Sequence, residues 1–496
     1  MKKVFYPLLF VLTFLSAKSQ QTLDAMRYSQ DDIYGTARFQ AMGGAFGALG
    51  GDLSAINLNP AGSAVFLNNF SSITVTNANR RNASNFYGTS NTITDSSLDL
   101  NQFGGVWVFS NANPDSKWGK FTLAMNYDKT NNLRNSTFSQ GINPTNSIAN
   151  YFTSYANGIP VNVLNSNSFT NLNYAEQQGF LGLQGGLIQA IGASQYASAV
   201  NTNGNYYQEN SVESLGYNSK IAFNFATEYD KRFYFGINLN AHFTDFRSTS
   251  SFYEDYQDSP GNNPSDGVQA SRFNNELYTY GSGFSFQLGA IAKVTNEFRV
   301  GLAFESPTWY NLNDELLQTL SVNCPSCGPR DDTYFVDPNI IILYPTYRLQ
   351  TPAKYSGSLA YVFGNSGLIS VDYGIKDYST AQFRPRNEFV DANSSISSTL
   401  RMANELRVGA EYRIKKWSLR GGYRFEESPF KDTKTIGNLN SISTGFGYNF
   451  GMFKLDMAYT HARRENNTPF FTQGLTDAAR IEAVQNNVTL TLGFEL

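Results

Sequence analysis

Histidine and cysteine are almost missing from this chain, two of each among 496 residues. Ser-His or Asp-His catalysis, and metal or haem ligation by clustered His and Cys, have little to draw on. His242 and His461 have no evident nucleophile partner in sequence, so neither an enzyme nor a cofactor is expected. Charge is sparse too: Asp, Glu, Lys and Arg make up 16%, with a formal net charge of −3. Nothing basic is left over to attract nucleic acid. Beyond the N-terminus no apolar run approaches the roughly 18 residues that a spanning helix needs. What abounds is aromatic side chains, 15% of the chain, and glycine, 41 residues.

The N-terminus pairs Lys2 and Lys3 with the apolar run Val4 to Leu15 and a small-x-small site, Ala17-Lys18-Ser19. This pattern predicts a signal peptide over residues 1–19, with Gln20 or Gln21 first in the mature chain. No cysteine stands at the cleavage point, so a lipid anchor is not expected. Losing Lys2, Lys3 and Lys18 moves the net charge to about −6. In this exported context Cys324 and Cys327, within Cys324-Pro325-Ser326-Cys327-Gly328-Pro329, read as a small loop disulfide. A redox pair or half a zinc site would need a flanking βαβ pattern or a second ligand pair, and neither is present.

The chain end alternates without a break: Val488, Leu490, Leu492, Phe494 and Leu496 share one face, opposite Thr489, Thr491 and Glu495. A period of two is the mark of a strand with unlike faces. The same pattern recurs in Phe70 to Asn77, Phe103 to Phe109, Phe121 to Tyr127, Ile221 to Phe225 and Phe233 to Leu239. It continues through Tyr278 to Ala292, Phe298 to Phe304, Tyr355 to Phe363, Ile369 to Ile375, Leu406 to Tyr412, Trp417 to Phe425, Ile442 to Phe450 and Phe453 to Tyr459. About fourteen such segments predict an all-β fold, a transmembrane antiparallel β-barrel. Only every second residue of such a barrel meets lipid, so mean hydropathy stays negative. Insertion then calls for the barrel-assembly machinery, and the solvent of the outer wall is outer-membrane lipid.

Connections near Asn111 to Ser116, Asp230, Thr295, Gly364, Lys415 and Gly451 are tight, and every intervening one is expected to be longer. Short inner turns and long outer loops sort in this way in outer-membrane barrels, whereas a β-sandwich has no reason to sort them. Glu405, Arg407, Glu411, Arg413, Arg420 and Arg424 fall opposite the apolar faces of their strands, as do Lys454 and Asp456, and are expected to pair inside a wet lumen. The longest outer segment, from Lys129 to Leu215, holds Phe180, Leu183, Leu187 and Ile191 at helical spacing. Such a helix either collects apolar ligand at the barrel mouth or packs onto neighbouring loops.

Between signal peptide and first strand, residues 20–68 are too long for a linker and too rich in glycine for a helix. They read Arg38-Phe39-Gln40-Ala41-Met42-Gly43-Gly44-Ala45-Phe46-Gly47-Ala48-Leu49-Gly50-Gly51-Asp52, then Asn57-Leu58-Asn59-Pro60-Ala61-Gly62. Since a wide barrel left open would leak, a compact plug inside the barrel of residues 69–496 is the expected arrangement. The small-residue run and its Asn-Pro-Ala element resemble the hatch of the FadL/TodX family of outer-membrane transporters for hydrophobic compounds. The strand count agrees with that family, as do Glu305-Ser306-Pro307-Thr308-Trp309-Tyr310, Asp372-Tyr373 with Asp377-Tyr378, and Arg424-Phe425-Glu426-Glu427-Ser428-Pro429-Phe430.

That resemblance implies passive uptake of long-chain fatty acids or similar hydrophobic molecules, by loop capture, lumenal binding and sideways release through a gap where a strand kinks. It implies plugging by Gly43, Gly44, Gly47, Gly50, Gly51, Asn59, Pro60 and Ala61. Met42 and Phe46 become candidate ligand contacts, with Phe180, Leu183 and Leu187 as candidates in the loops. Gly104-Gly105 and Gly281 with Gly283 are places where a strand could relax. Two other readings keep the barrel: a haemin-binding receptor, and an adhesion or secretion component whose loops hold protein partners.

Overall fold

The computed structural model describes residues 22–113, 115–325 and 333–495. The expected signal peptide and Cys327 lie outside the described residues. Fourteen antiparallel wall strands close into a barrel. They are β1 (Phe70–Phe86), β2 (Thr89–Ser110), β3 (Trp118–Asn132, continued by Asn135–Asn143), β4 (Tyr206–Tyr229), β5 (Phe233–Asp255) and β6 (Ala270–Lys293). Next come β7 (Phe298–Glu305 and Trp309–Asn323), β8 (Tyr347–Gln350 and Lys354–Val362) and β9 (Gly367–Asp377 and Gln382–Arg384). Then follow β10 (Met402–Ile414), β11 (Trp417–Glu426), β12 (Ile436–Asn449), β13 (Phe453–Pro469) and β14 (Ala478–Glu495). Closure is made by β1 and β14, in register from Phe70↔Glu495 to Asn85↔Arg480. Both neighbours of each strand are thus supplied by the chain itself, as a lipid-embedded sheet requires.

β5 shows why these sequences form such a wall. Phe233, Phe235, Ile237, Leu239 and Phe243 point outward and are exposed, while Tyr234, Asn238, Asn240 and His242 point inward and are buried. Beyond Phe243 the outward positions turn polar, with Asp245, Arg247 and Thr249, so the apolar band ends there. Trp118 and Trp417 mark the inner rim beside the short turns, as aromatic girdles do. No helix among the described residues is long and apolar enough to cross a membrane.

The inner turns are tight where expected, Asp230 and Lys231 taking positive φ of 51° and 55°. One expectation about the outer side fails. β1 and β2 extend far past the band and meet in a two-residue turn, Tyr87-Gly88, instead of a long loop. β4, β5 and β6 rise equally far, at 24, 23 and 24 residues. Over their outer ends lies a cap that includes α3 (Ile148–Ala156), α4 (Val161–Ser166) and α5 (Tyr174–Gln184). Its core joins Ile148, Phe152, Leu181 and Leu187 to the inward wall residues Phe252, Phe273 and Leu320.

The segment preceding β1 sits inside the barrel, where its buried residues pack against the wall. Glycine does not keep it wholly irregular, since α1 (Thr22–Arg27), α2 (Ala37–Ala41) and two 3₁₀ turns (Ser54–Asn57 and Pro60–Val65) form. All are short. Thr36 caps α2 by accepting the Phe39 N–H, and Asn59 caps the second 3₁₀ turn by accepting that of Ala61.

Candidate functional site: hatch, lumen and wall seams

The hatch is seated by backbone contact. An added Cβ at Gly50, whose φ is +60°, would lie 2.7 Å from the Gly62 carbonyl oxygen, so only glycine closes the loop between the two motif halves. Gly43, Gly44 and Gly51 also take positive φ, while Gly47 presses on Ser358 of β8. The wall answers with glycines of its own. Gly289 of β6 faces Asn59 and Pro60, Gly301 of β7 faces Gly47, and Gly409 and Gly422 of β10 and β11 face Met42. Polar groups complete the seat: the Asp372 carboxylate accepts the N–H groups of Phe46 and Gly47, each at 2.9 Å. Asn59 Nδ2 donates to the carbonyls of Gly47 (2.7 Å) and Ala290 (3.1 Å), tying hatch to hatch and hatch to wall.

Charged residues in the lumen pair as their strand parity implied, and they also grip the hatch. Glu405 accepts from Lys354 Nζ (2.7 Å) and Arg424 Nε (2.9 Å) and contacts Arg407. Glu411 accepts from Arg420 Nε (2.7 Å) and from hatch residue Arg38 (3.0 Å). Arg413 is more exposed, at its strand's inner end, yet also reaches Glu411. Hatch residue Asp31 lies deep in the barrel, where desolvation would raise its pKa, but Lys376 at 3.6 Å and the nearby Lys220 outweigh that and hold it below the usual carboxylate range. Asp52 goes the other way: burial, only partly offset by Arg38 and the Thr36 hydroxyl, pushes it up.

Above the hatch and beneath the cap is a cavity of about 650 Å³. Its floor carries Leu23, Arg27 and Asp32 of the hatch, and its roof carries Tyr151 and Tyr174 of the cap with Phe470 and Phe471 of the β13–β14 loop. Met42 and Phe46 do not border it. Both are fully buried in the hatch seat, packed among Phe39, Leu49, Ala360 and Leu368. Nor does the predicted outer helix present its apolar side there. α5 ends at Gln184, before Leu187; Phe180 and Leu183 pack on the cap core, Leu187 lies within it, and Ile191 is exposed. The aromatic residues that do border the cavity include Phe252 and Phe273, direct register partners on β5 and β6. Their signal was present in the sequence as phenylalanines in the inward phase, well past the apolar band.

Cys324 is buried in the cap core and is not a free thiol. His242 meets Ser285 Oγ at 2.8 Å and Tyr310 OH at 3.4 Å, but Ser285 is fully buried, leaving a substrate no room at that pair. Among the described residues no three His, Cys, Asp or Glu side chains are grouped to hold a metal ion.

The wall itself is discontinuous in two places. On one side the β2–β3 ladder stops at Gln102↔Asp128, just above Gly104-Gly105. From there β2 continues outward paired to β1 alone, and β3 continues against β4. Side chains bridge the resulting seam: Lys129 to Asp99 (2.7 Å), Asn132 to Ser97 (3.1 Å) and Ser136 to Asp95 (3.0 Å). The seam opens inward on the cavity through Asn131, Asn132 and Leu133, and is flanked outside by exposed Leu98 and Leu100. On the other side β7, β8 and β9 are all interrupted, β7 at Ser306-Pro307-Thr308 and β8 at Thr351-Pro352-Ala353. Proline has no N–H to give a ladder, so the breaks are dictated locally. Gly281 and Gly283 lie opposite the restart of β7, at Leu312 and Tyr310.

A closed fourteen-stranded barrel with an outward apolar band, an occupied lumen and a capped cavity has the architecture of an outer-membrane channel. Residues 186–492 match the family of outer membrane protein transport proteins (OMPP1/FadL/TodX), and the chain belongs to that family. Among solved structures, that of a Pseudomonas aeruginosa FadL homologue is similar at 13% identity and a TM-score of 0.54, covering 94% of this chain and 99% of that one. The Pseudomonas putida toluene transporter TodX is similar at 13% identity and a TM-score of 0.53, covering 94% of this chain and 100% of that one. At these identities the likeness shows the fold. No curated protein sequence matches the chain.

Proposed function

We propose that the protein takes up hydrophobic small molecules passively, binding them in the cavity beneath the cap and releasing them sideways through the β2–β3 seam. One observation carries the reading: the cavity is closed below by the hatch but reaches, through Asn131 to Leu133, the one stretch of β2 that has no ladder to β3. A cargo that moves from there past Leu98 and Leu100 into the bilayer is never returned to water, so its partitioning alone drives transfer. The hatch motif, from Gly43 to Gly51 and Asn59 to Ala61, serves as the plug that denies an aqueous route. Phe180, Leu183 and Leu187 hold the cap together, and Met42 and Phe46 hold the hatch, instead of touching cargo.

Ser97 and Asn132 face each other across the seam and provide the test. With Ser97→Cys and Asn132→Cys joined by a short bismaleimide, uptake of a fluorescent hydrocarbon probe by cells is expected to fall to the level of cells lacking the protein. Each single variant, treated alike, should retain uptake. Full uptake by the joined protein would overturn release through this seam.

A further inference from the structure

We propose that the inner rim between the β8–β9 and β12–β13 turns binds an anionic phospholipid of the periplasmic leaflet, its phosphate held by Lys415 and Lys416 and its acyl chains lying along Tyr412, Leu419 and Phe446. The site is on the outside of the wall and depends on neither the cargo nor its exit route.

Charge is spread unevenly along this rim, whose short turns face the periplasm. The β2–β3, β4–β5 and β6–β7 turns carry Asp115, Asp230 and Glu297, and Glu495 ends β14. The three remaining turns, at Phe363 to Ser366, Ile414 to Trp417 and Asn449 to Phe453, hold no carboxylate, and the middle one places two exposed lysines side by side. The carboxylates on the adjoining strands are already engaged, Glu411 by Arg413, Arg420 and Arg38, Asp456 by Arg420, and Glu495 by Lys454. Backbone bonds tie the three turns into one ledge: the Arg413 N–H donates to the Ser366 carbonyl at 2.8 Å, and the Asn449 N–H to that of Lys416 at 3.0 Å. Two lysines fixed there attract a phosphate, and with no carboxylate beside them to answer an ammonium they favour a headgroup of net negative charge over a zwitterionic one.

Depth identifies lipid as the source of that phosphate. Trp417 follows Lys416 directly and is half exposed on the outer face, its ring 4.7 Å from Tyr448, with Tyr448 4.6 Å from Phe450 and Phe450 stacked on Phe453 at 4.4 Å. Such a row of rings marks the level of the headgroups. Phe363 and Phe450 are exposed in the flanking turns, and Met452 is 83% exposed within its own. Apolar turn residues fit the boundary between headgroup and acyl chain, whereas the charged face of a soluble acidic partner would offer them no apolar contact. Just above the ledge Leu419 is in register with both Tyr412 and Phe446, all three exposed, so an apolar row continues from the rings onto the wall for the chains to lie on.

The full mature protein with Trp107→Phe, Trp118→Phe and Trp309→Phe keeps Trp417 as its one tryptophan. It would be placed in phosphatidylcholine vesicles containing phosphatidylglycerol or phosphatidylethanolamine whose acyl chains are brominated near the glycerol, so that quenching of Trp417 reports which lipid sits at the ledge. The phosphatidylglycerol is expected to bind there at least about five-fold tighter than the phosphatidylethanolamine, the gain usual for a single lysine at a membrane surface. Lys415→Gln with Lys416→Gln should bring the two lipids to within about two-fold of each other. A companion protein keeping only Trp118 reads the β2–β3 side, where Asp115 and Asp230 stand among the cations, and there the double substitution should change nothing. Equal binding of the two lipids at Trp417, or a preference that survives both substitutions, would overturn the assignment. A preference lost equally at Trp118 would overturn it too, by showing a field of the whole rim instead of a site at this ledge.

Discussion

At Gly301 the sequence spends a residue on having no side chain, and the cost of adding one can be read from the geometry. A Cβ there would come 2.3 Å from the Gly47 carbonyl oxygen and 3.0 Å from the Ala48 Cα, backbone atoms that cannot swing aside. Gly301→Val should therefore push the hatch off its seat at a cost of about 1–3 kcal/mol. Single-channel recordings should show raised conductance, and cells should become more sensitive to a small hydrophilic antibiotic. Gly421 supplies the control, since it faces outward and an added Cβ meets nothing nearer than the Ser443 carbonyl oxygen at 4.0 Å. Gly421→Val is expected to change neither readout, and equal conductance in the two variants would contradict seating by contact. The hatch glycines stood out in the sequence as a run. Their partners at Gly236, Gly289, Gly301, Gly409 and Gly422 did not, because a lone glycine in a strand carries no mark of what lies against it across the lumen.

Among elements, β7 and β8 trade ladder bonds for side-chain bonds at their interruptions. Thr308 N–H donates to Thr351 Oγ1 at 2.8 Å, and Thr351 N–H donates to the Thr308 carbonyl at 3.0 Å, so two threonines replace the rungs that Pro307 and Pro352 cannot form. Thr351→Val keeps the shape but strands the buried Thr308 N–H. Losing that acceptor should cost about 1–3 kcal/mol in urea unfolding from vesicles. A midpoint equal to the parent's would mean the amide finds another partner. Alternation located every wall strand where lipid and lumen differ, as in Phe233 to Leu239 or Leu406 to Tyr412. It missed the outer halves of β1, β2, β4, β5 and β6, where both faces are polar: Thr249 and Ser251 lie outward, Ser248 and Ser250 inward, and no period of two survives. The same loss of contrast turned the Tyr87-Gly88 hairpin into an expected long loop. The cap helix was legible in Phe180 and Leu183 but ran past its end at Gln184, since Leu187 returns to the same core from a turn.

For the molecule as a whole, the ladder of the wall is independent of the hatch. Each wall strand finds its ladder partners in other wall strands, and among the described residues the hatch contributes none of the rungs. The hatch in turn occupies the lumen in two lots. Ala41 to Gly47 lies against β7 to β13, and Ser54 to Ala64 against β2 to β6. Deleting Gln20 to Gly51 should thus leave a folded, heat-modifiable barrel, emptying the side bounded by Gly409, Gly422 and Gly445 and leaving Ser54 to Ala64 in place. The lumenal ion pairs of Glu405 and Glu411 with wall arginines would persist, whereas Glu411 would lose Arg38 and Asp372 would lose its two amide donors. Conductance should rise from closed to a steady, weakly cation-preferring pore, because the Asp372 carboxylate, freed of its two amide donors, would line it. A deleted protein that inserts and folds but conducts no more than the parent would show that the lumen is blocked by something other than this segment, the cap being the remaining barrier.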